Sequence, residues 1–169
     1  MKNINNGWGV FMGCDIHFYT EVLRTIDDKK TWCCCDLWKL NPYYKVFKDE
    51  PEYEIEELYG DRDYNLFSIL AGVRNYSDIV PISKPRGLPD GVSTAVKAAS
   101  DKWDGDGHSH SWFTLYELMS ENSRRLCSSP LDDLVNLCVQ RMKKELHILD
   151  NKEVAGEARR FRIVFWFDN

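Results

Sequence analysis

The stretch that decides the fold is MGCDIHFYTEVL, residues 12–23. Apolar side chains occupy alternate positions in it, and successive side chains of a strand point to opposite faces of a sheet. The apolar face carries Met12, Cys14, Ile16, Phe18 and Val22. The polar face carries Asp15, His17, Tyr19 and Glu21. We therefore predict a strand with one face in the core and the other available for chemistry.

Two more segments predict strands that pair with this one. Residues 31–40, rich in Trp and Cys, follow a polar turn at residues 26–30, so the two strands are expected to form a β-hairpin. Residues 159–168 are alternating and aromatic, and we expect this last strand at the centre of the sheet, beside the first. Residues 41–60 lack clean periodicity and predict an irregular segment.

Capping residues mark the helix starts. The predicted helices run from Asp63 to about Val73, from Ser93 to about Trp103, from Thr114 in a capping box with Glu117, and from Ser129 onwards. These elements predict an α+β fold, a small and mostly antiparallel sheet with the N- and C-terminal strands central, covered by three or four helices. We expect residues 12–169 to form one domain and residues 1–11 a flexible extension.

Length, charge and cysteine content narrow the function classes. A net charge of −5 over 169 residues argues against a broad basic face for duplex nucleic acid. The longest apolar run, Ile163–Phe167, is too short to cross a bilayer, and the polar residues near the start predict neither a secretory leader nor a lipid anchor. Three of the six cysteines are consecutive, which suits reduced thiols and a cytoplasmic location.

The main candidate site is DGHSHSW, residues 106–112, which we interpret as a loop directly before a helix. Its two histidines are spaced by two residues, like the aspartate and histidine of the first strand. Imidazoles and carboxylates are ligands of zinc, manganese, iron and nickel. We predict that one divalent ion is held by Asp15, His17, His108 and His110, with Asp168 as a further carboxylate. Alternatively, the loop histidines bond only to backbone and the carboxylates are structural.

Three arginines near element ends are candidates for phosphate binding. They are Arg62, Arg74 and Arg86, and their guanidinium groups have the fork geometry that clamps phosphate oxygens. Together with Asp106 of the histidine segment, they are our candidate catalytic residues. The alternative for each arginine is an ion pair with one of the many carboxylates.

Several blocks of the chain, in order, resemble a family of small phage and prophage proteins that has no established reaction. The blocks are MGCDIH (12–17), RDYNLF (62–67), VRN (73–75), PRGLP (85–89), the histidine segment and FWFDN (165–169). The resemblance implies an accessory protein in the cytoplasm of an infected bacterium, with Met12 as the usual start. The chain departs from the pattern at Asp63, where Asn often follows the Arg.

These observations lead to two functional hypotheses. The first is a metal-dependent hydrolase of a phosphoester or nucleotide, in which the ion lowers the pKa of bound water to about 7 and arginines stabilise the developing charge. The alternative is a non-enzymatic, anti-defence protein that sequesters a nucleotide signal or a host defence protein. The hydrolase and the sequestration of a nucleotide signal both predict a small phosphorylated molecule or nucleotide as partner, and the sequence leaves a homo-oligomer open.

Overall fold

The computed structural model describes residues 13–125 and 129–169, so the expected extension at residues 1–11 lies outside the described residues. The strands are β1 (Ile16–Ile26), β2 (Lys29–Cys34), β3 (Leu37–Leu40), β4 (Tyr53–Glu56), β5 (His108–Thr114) and β6 (Phe161–Phe167). The helices are α1 (Tyr64–Ala71), α2 (Thr94–Asp101), α3 (Leu115–Arg124), α4 (Ser129–Leu146) and α5 (Asn151–Glu157), with a short 3-10 turn at Ala158–Arg160.

The main sheet has four antiparallel strands in the order β2-β1-β6-β5. The predicted α+β architecture is confirmed, and β1 and β6 are the two central strands. His17 lies opposite Trp166, and Glu21 lies opposite Arg162, so these four residues share one face of the sheet. We call it the polar face.

The opposite face of the sheet carries the main hydrophobic core. Phe18, Phe113 and Phe165 are fully buried there beneath the apolar sides of α1, α3 and α4. A smaller apolar cluster on the polar face includes Trp166 and Val96 and is covered by α2. The described residues thus carry five helices on two sides of the sheet, one more than the sequence predicted, because the short α5 was not recognised.

The predicted β-hairpin is confirmed, but its second strand is shorter than expected. The turn is made by Asp27 and Asp28, both at positive φ, as a tight hairpin requires. β2 ends at Cys34, whereas the prediction extended it to residue 40. The chain leaves the sheet because buried Asp36 accepts hydrogen bonds from the Thr20 backbone N–H (2.6 Å) and hydroxyl.

Beyond that point the chain forms a separate two-stranded sheet in which β3 pairs with β4. We call residues 37–56 the arm. Its second strand falls within the segment predicted to be irregular. The pairing is short, and a two-stranded sheet is marginally stable alone, so the arm depends on its contacts with the rest of the molecule.

The helix starts were predicted correctly from their caps. Asp63 accepts from the backbone N–H groups of Asn65 and Leu66, and Gly72 ends α1 in the left-handed conformation. Ser93 caps α2, and the capping box of α3 forms as expected. None of the helices within the described ranges is long and apolar enough to span a membrane.

The predicted loop at the histidines is wrong, because residues 108–114 form the edge strand β5. Its pairing with β6 is interrupted by a bulge between His108 and Ser111, and Ser109 has a positive φ of 54°. A bulge adds a residue to one strand and changes which way the following side chains point. This feature separates the two histidines.

Candidate functional site

A cleft of about 690 Å³ opens over the polar face of the sheet, between the arm and α2. His17 and Tyr19 of β1 form its floor, because alternation in the strand directs both side chains to this face. Aromatic side chains of the arm and the residue Trp103, just after α2, form its walls. The cleft is therefore built by three separate parts of the chain around one strand.

A hydrogen-bonded cluster holds His17 in place. Its Nδ1 lies 3.1 Å from Glu57 Oε1, and its Nε2 lies 3.3 Å from Asp168 Oδ2. The hydroxyl of Tyr19 donates to the same Glu57 oxygen over 2.9 Å. Asp168 is fixed in turn, since its Oδ1 accepts from the backbone N–H of Asp15 at 2.9 Å. We call His17, Tyr19, Glu57 and Asp168 the floor cluster.

The electrostatics of the floor cluster favour a charged imidazole. Burial by itself lowers the pKa of His17, but hydrogen bonds and charges from Glu57 and Asp168 outweigh it, so that the pKa is raised. Burial and the neighbouring Glu57 carboxylate raise the pKa of Tyr19, which keeps its proton for the hydrogen bond to Glu57. The two flanking carboxylates thus favour the protonated form of the His17 imidazole.

Aromatic rings surround this cluster. The ring of Trp103 lies 4.0 Å from the His17 ring, centroid to centroid, and Trp166 stacks on Tyr19 at 5.0 Å. On the arm, the side chains of Trp38 and Tyr53 line the cleft although both residues are more than half exposed. Such exposed aromatic surface in a concave site is typical of ligand-binding pockets.

The two histidines of β5 lie on opposite faces of their strand. His110 stacks on Trp166 at 5.4 Å, and its Nε2 lies 3.0 Å from Ser100 Oγ, so it belongs to the polar face. His108 stacks instead on Phe167, a core residue, at 6.1 Å. The Nε2 of His108 is buried without a hydrogen-bond partner among the described residues. The bulge between them therefore prevents both imidazoles from facing one point.

Asp15 lies close to the floor cluster but is paired elsewhere. Both of its oxygens accept from Arg62, with Nε and Nη2 each 2.7 Å away. The hydrogen bonds from Arg62 hold the pKa of Asp15 below its usual value, against the smaller effect of burial. This arginine was predicted to clamp phosphate, and in the structure it makes the predicted alternative, an ion pair.

The other candidate catalytic residues lie outside the cleft lining. Arg86 donates to Glu117 (2.8 Å), and its guanidinium lies over the ring of Phe113 (4.4 Å) at the start of α3. Arg74 donates to the side chain of Asn169 at 3.1 Å. Asp106 is exposed in the turn after α2. Arg62, Arg74 and Arg86 thus each contact another side chain of the protein, and neither they nor Asp106 line the cleft.

The structure brings only part of the predicted metal site together. His17 and Asp168 are in contact, and Asp15 is next to them in the sheet, hydrogen-bonded through its backbone. Within residues 13–125 and 129–169, no group of three or more His, Cys, Asp or Glu side chains has the arrangement of a metal site. Of the predicted ligands, His17 and Asp168 are thus close enough to hold one ion together. Asp15 could join them only by giving up its contact with Arg62.

Sequence reasoning missed Glu57, Trp38 and Trp103, which complete the cleft. Glu57 directly follows β4, so only knowledge of the arm could have placed it over β1. Alternation did place Tyr19 on the chemical face together with His17. No protein-family model, curated protein or solved structure matches the chain.

Proposed function

We propose that the protein binds a nucleotide, or a similar small phosphorylated molecule with a planar ring, in the cleft between the arm and α2. The observation that carries the proposal is the cavity itself. It has about 690 Å³ of space, and its walls present aromatic faces over a floor of fixed polar groups. Cavities of a few hundred Å³ with aromatic walls and a few polar groups are typical of small-molecule sites.

The side chains on the cleft suit both parts of such a ligand. A base stacked on an aromatic side chain gains about 1–3 kcal/mol, and Trp38 offers a largely exposed ring for this contact. Lys39 and Lys102 also line the cleft and supply positive charge for a phosphate group. Lys39 forms an ion pair with Glu54, 3.5 Å away, so we expect Lys102 to be the main cationic contact for the phosphate.

The biological setting of the proposal comes from the resemblance to phage and prophage proteins. An accessory protein of this kind would act in the cytoplasm of an infected bacterium. Sequestering a nucleotide signal there requires binding without turnover, which a cleft with a rigid hydrogen-bonded floor can provide. The proposal is therefore an anti-defence binding protein.

A metal-dependent phosphoester hydrolase is the second candidate, and one distance favours it. His17 Nε2 and Asp168 Oδ2 lie 3.3 Å apart. Two ligands of a tetrahedral zinc ion, each about 2.0–2.1 Å from the metal, lie about 3.3 Å from one another. A bound ion would supply hydroxide at neutral pH. His17 and Asp168 would hold it, and Asp15 would have to exchange Arg62 for the ion.

One set of measurements separates these two functions. Nucleoside monophosphates and cyclic dinucleotides are titrated by calorimetry, and product formation is followed with Zn²⁺, Mn²⁺, Fe²⁺ or Ni²⁺ added. Trp38→Ala is expected to weaken binding about tenfold or more. Tyr76→Ala, a matched change at an exposed aromatic residue outside the cleft lining, should bind like the wild type.

Each outcome decides between the candidates. Binding without turnover, sensitive to Trp38→Ala alone, supports sequestration. Turnover that is lost with a chelator and in His17→Ala supports the hydrolase. If none of the nucleotides binds, or if Trp38→Ala and Tyr76→Ala have equal effects, the cleft is not a nucleotide site.

A further inference from the structure

On the basis of the proposed function, we infer that the floor of the cleft selects rings that present an amino group, and that Glu57 Oε2 is the atom that accepts it. The cleft would thus discriminate between bases in which an amino group beside a bare ring nitrogen replaces a carbonyl oxygen beside a ring N–H. This specificity goes beyond nucleotide binding as such. The preference for an amino group follows from the hydrogen bonds within the floor cluster, because these bonds decide which atoms remain available to a ligand.

The two oxygens of Glu57 are in different situations. Oε1 is close to His17 Nδ1 at 3.1 Å and accepts from the Tyr19 hydroxyl at 2.9 Å. Oε2 has no hydrogen-bond partner within the described part of the chain, and the side chain is 26% exposed on the cleft. An ionised carboxylate only accepts hydrogen bonds. The free oxygen can therefore accept a hydrogen bond from a ligand that displaces water from the cleft.

Within the described part of the chain, the four side chains of the floor cluster have no N–H or O–H that is directed at the cleft rather than at another member of the cluster. The ring nitrogens of His17 face two carboxylates, Glu57 on one side and Asp168 on the other, so neither nitrogen is left to donate to a ligand. The Tyr19 proton is directed at Glu57, so its oxygen retains only lone pairs for the ligand. A ring carbonyl placed against Glu57 Oε2 would meet an acceptor, and its desolvation would not be compensated there.

Reorientation of the floor cluster is restricted from several sides. Asp168 is held by the backbone N–H of Asp15, and the His17 ring is packed against Trp103 and Trp166. Changing the donors and acceptors would require breaking several of these contacts at once. The pattern presented to a ligand is therefore preorganised, which is the condition under which hydrogen bonds give specificity.

Two pairs of probes test the inference directly. AMP and IMP differ by an amino group in place of a carbonyl oxygen and by a bare ring nitrogen in place of a ring N–H, and CMP and UMP differ in the same way. We expect the amino member of at least one pair to bind about tenfold or more tightly than its partner, measured by calorimetry at one salt concentration. The phosphate and sugar are identical within each pair, so they cancel in the ratio.

Glu57→Gln is the decisive variant, with Glu56→Gln as its matched control. Both remove one negative charge from the lining of the cleft, but within the described part of the chain the Glu56 side chain has no hydrogen bond or ion pair to the floor cluster. We expect Glu57→Gln to reduce the ratio within the pair to about threefold or less, because its amide nitrogen competes as a donor. Glu56→Gln should keep the wild-type ratio. Thermal unfolding of both variants checks that they are folded.

The outcomes also separate this inference from the proposed function. If AMP, IMP, CMP and UMP all bind but neither pair shows a preference, nucleotide binding stands and the inference is overturned. A preference for IMP or UMP overturns it as well, and so does an unchanged ratio in folded Glu57→Gln. If none of the four binds, both the proposed function and the inference fail.

Discussion

Two charged clusters lie on the polar face of the sheet, four residues apart along β1, and they differ in how the chain covers them. Glu21 and Arg162 are 0% and 3% exposed. In the floor cluster, the side chains of His17, Asp168 and Glu57 are between 12% and 26% exposed. The first cluster joins β1 to β6. The second joins β1 to Asp168, the residue that follows β6. The floor cluster borders the cleft between the arm and α2.

In the buried cluster, which we call the closed cluster, the Arg162 guanidinium and both Glu21 carboxylate oxygens have partners within the protein. Arg162 donates to Glu21 through Nε and Nη2, both 2.7 Å away, and the Ser93 backbone N–H donates to the other Glu21 oxygen at 2.7 Å. The guanidinium also lies over the ring of Trp32, 4.0 Å from its centroid. This cluster fixes the loop before α2.

The comparison shows how one sheet face can serve structure at one position and binding at another. Where a loop covers the charges and satisfies both carboxylate oxygens, the pair can only hold the fold together. Where the arm leaves a cleft, Glu57 retains one oxygen for a ligand. The two clusters therefore differ in how far other parts of the chain cover their side chains, rather than in the types of residue they contain.

The largest effect is expected for Arg162→Met, which breaks the closed cluster. Removing one partner of a buried ion pair leaves an uncompensated charge and costs about 3–5 kcal/mol in the free energy of unfolding. Urea denaturation at pH 7 measures it. The double variant Glu21→Gln/Arg162→Met should lose less stability than Arg162→Met, because it leaves no buried charge without a partner. A loss below about 1 kcal/mol would show that Glu21 is solvated and that the two clusters are alike.

A smaller effect is expected at the open cluster, and it depends on pH. The folded-state pKa of His17 is raised above that of the unfolded chain, chiefly by Glu57 and Asp168 acting against burial. Its stabilising contribution is therefore complete below about pH 6.5 and is lost as the pH rises through the folded-state value. Glu57→Gln should lower the His17 pKa and remove about 1–2 kcal/mol of stability at pH 6, but less at pH 9.

Histidine proton NMR titrations and urea denaturation at the two pH values check this prediction. Glu56→Gln serves as the control and should leave the His17 titration unchanged. Asp36, whose pKa burial raises to about 6, changes in the same direction at lower pH: its protonated form is favoured in the folded protein, and that contribution is lost as the pH rises from about 4 to about 6. An equal loss of stability for Glu57→Gln at pH 6 and pH 9 would mean that His17 is not charged in the folded protein.

The elements of the closed cluster were accessible from sequence, whereas those of the open one were only partly so. Alternation in β1 and β6 and the cap at Ser93 depend on neighbouring residues, and these local signals were interpreted correctly. The arm depends on pairing between residues 37–40 and 53–56, across a linker without periodicity. Since that pairing is non-local, Glu57 could not be placed above β1 from sequence.

The histidine motif shows a second limit of sequence reasoning. Glycine and polar residues favoured a loop at residues 106–112, but pairing with the buried strand β6 makes residues 108–114 a strand. Spacing suggested that His108 and His110 share a target. The bulge between His108 and Ser111 sends them to opposite faces, and no feature of the sequence marks that bulge.

The smallest effect is expected at the exposed pair beside the open cluster, through the substitution Gly13→Ala. A Cβ at this position would lie 2.5–2.9 Å from the guanidinium atoms of Arg62. That group is the end of a flexible, half-exposed side chain, so it should move away rather than strain the backbone. The move would break the bidentate contact with Asp15, and exposed pairs of this kind contribute little to stability.

The pKa of Asp15 is therefore a better measure than stability, because hydrogen bonds from Arg62 are what hold it down. We expect Gly13→Ala to raise this pKa towards its ordinary value in a carboxyl NMR titration. The same substitution made in Arg62→Ala should produce no further change, since the contact it disrupts is already absent. If Gly13→Ala shifts the pKa equally in both backgrounds, the methyl group acts on Asp15 directly. In that case the pKa of Asp15 would be set by its surroundings near Asp168, to which its backbone N–H donates, rather than by Arg62. Asp15 would then belong to the open cluster.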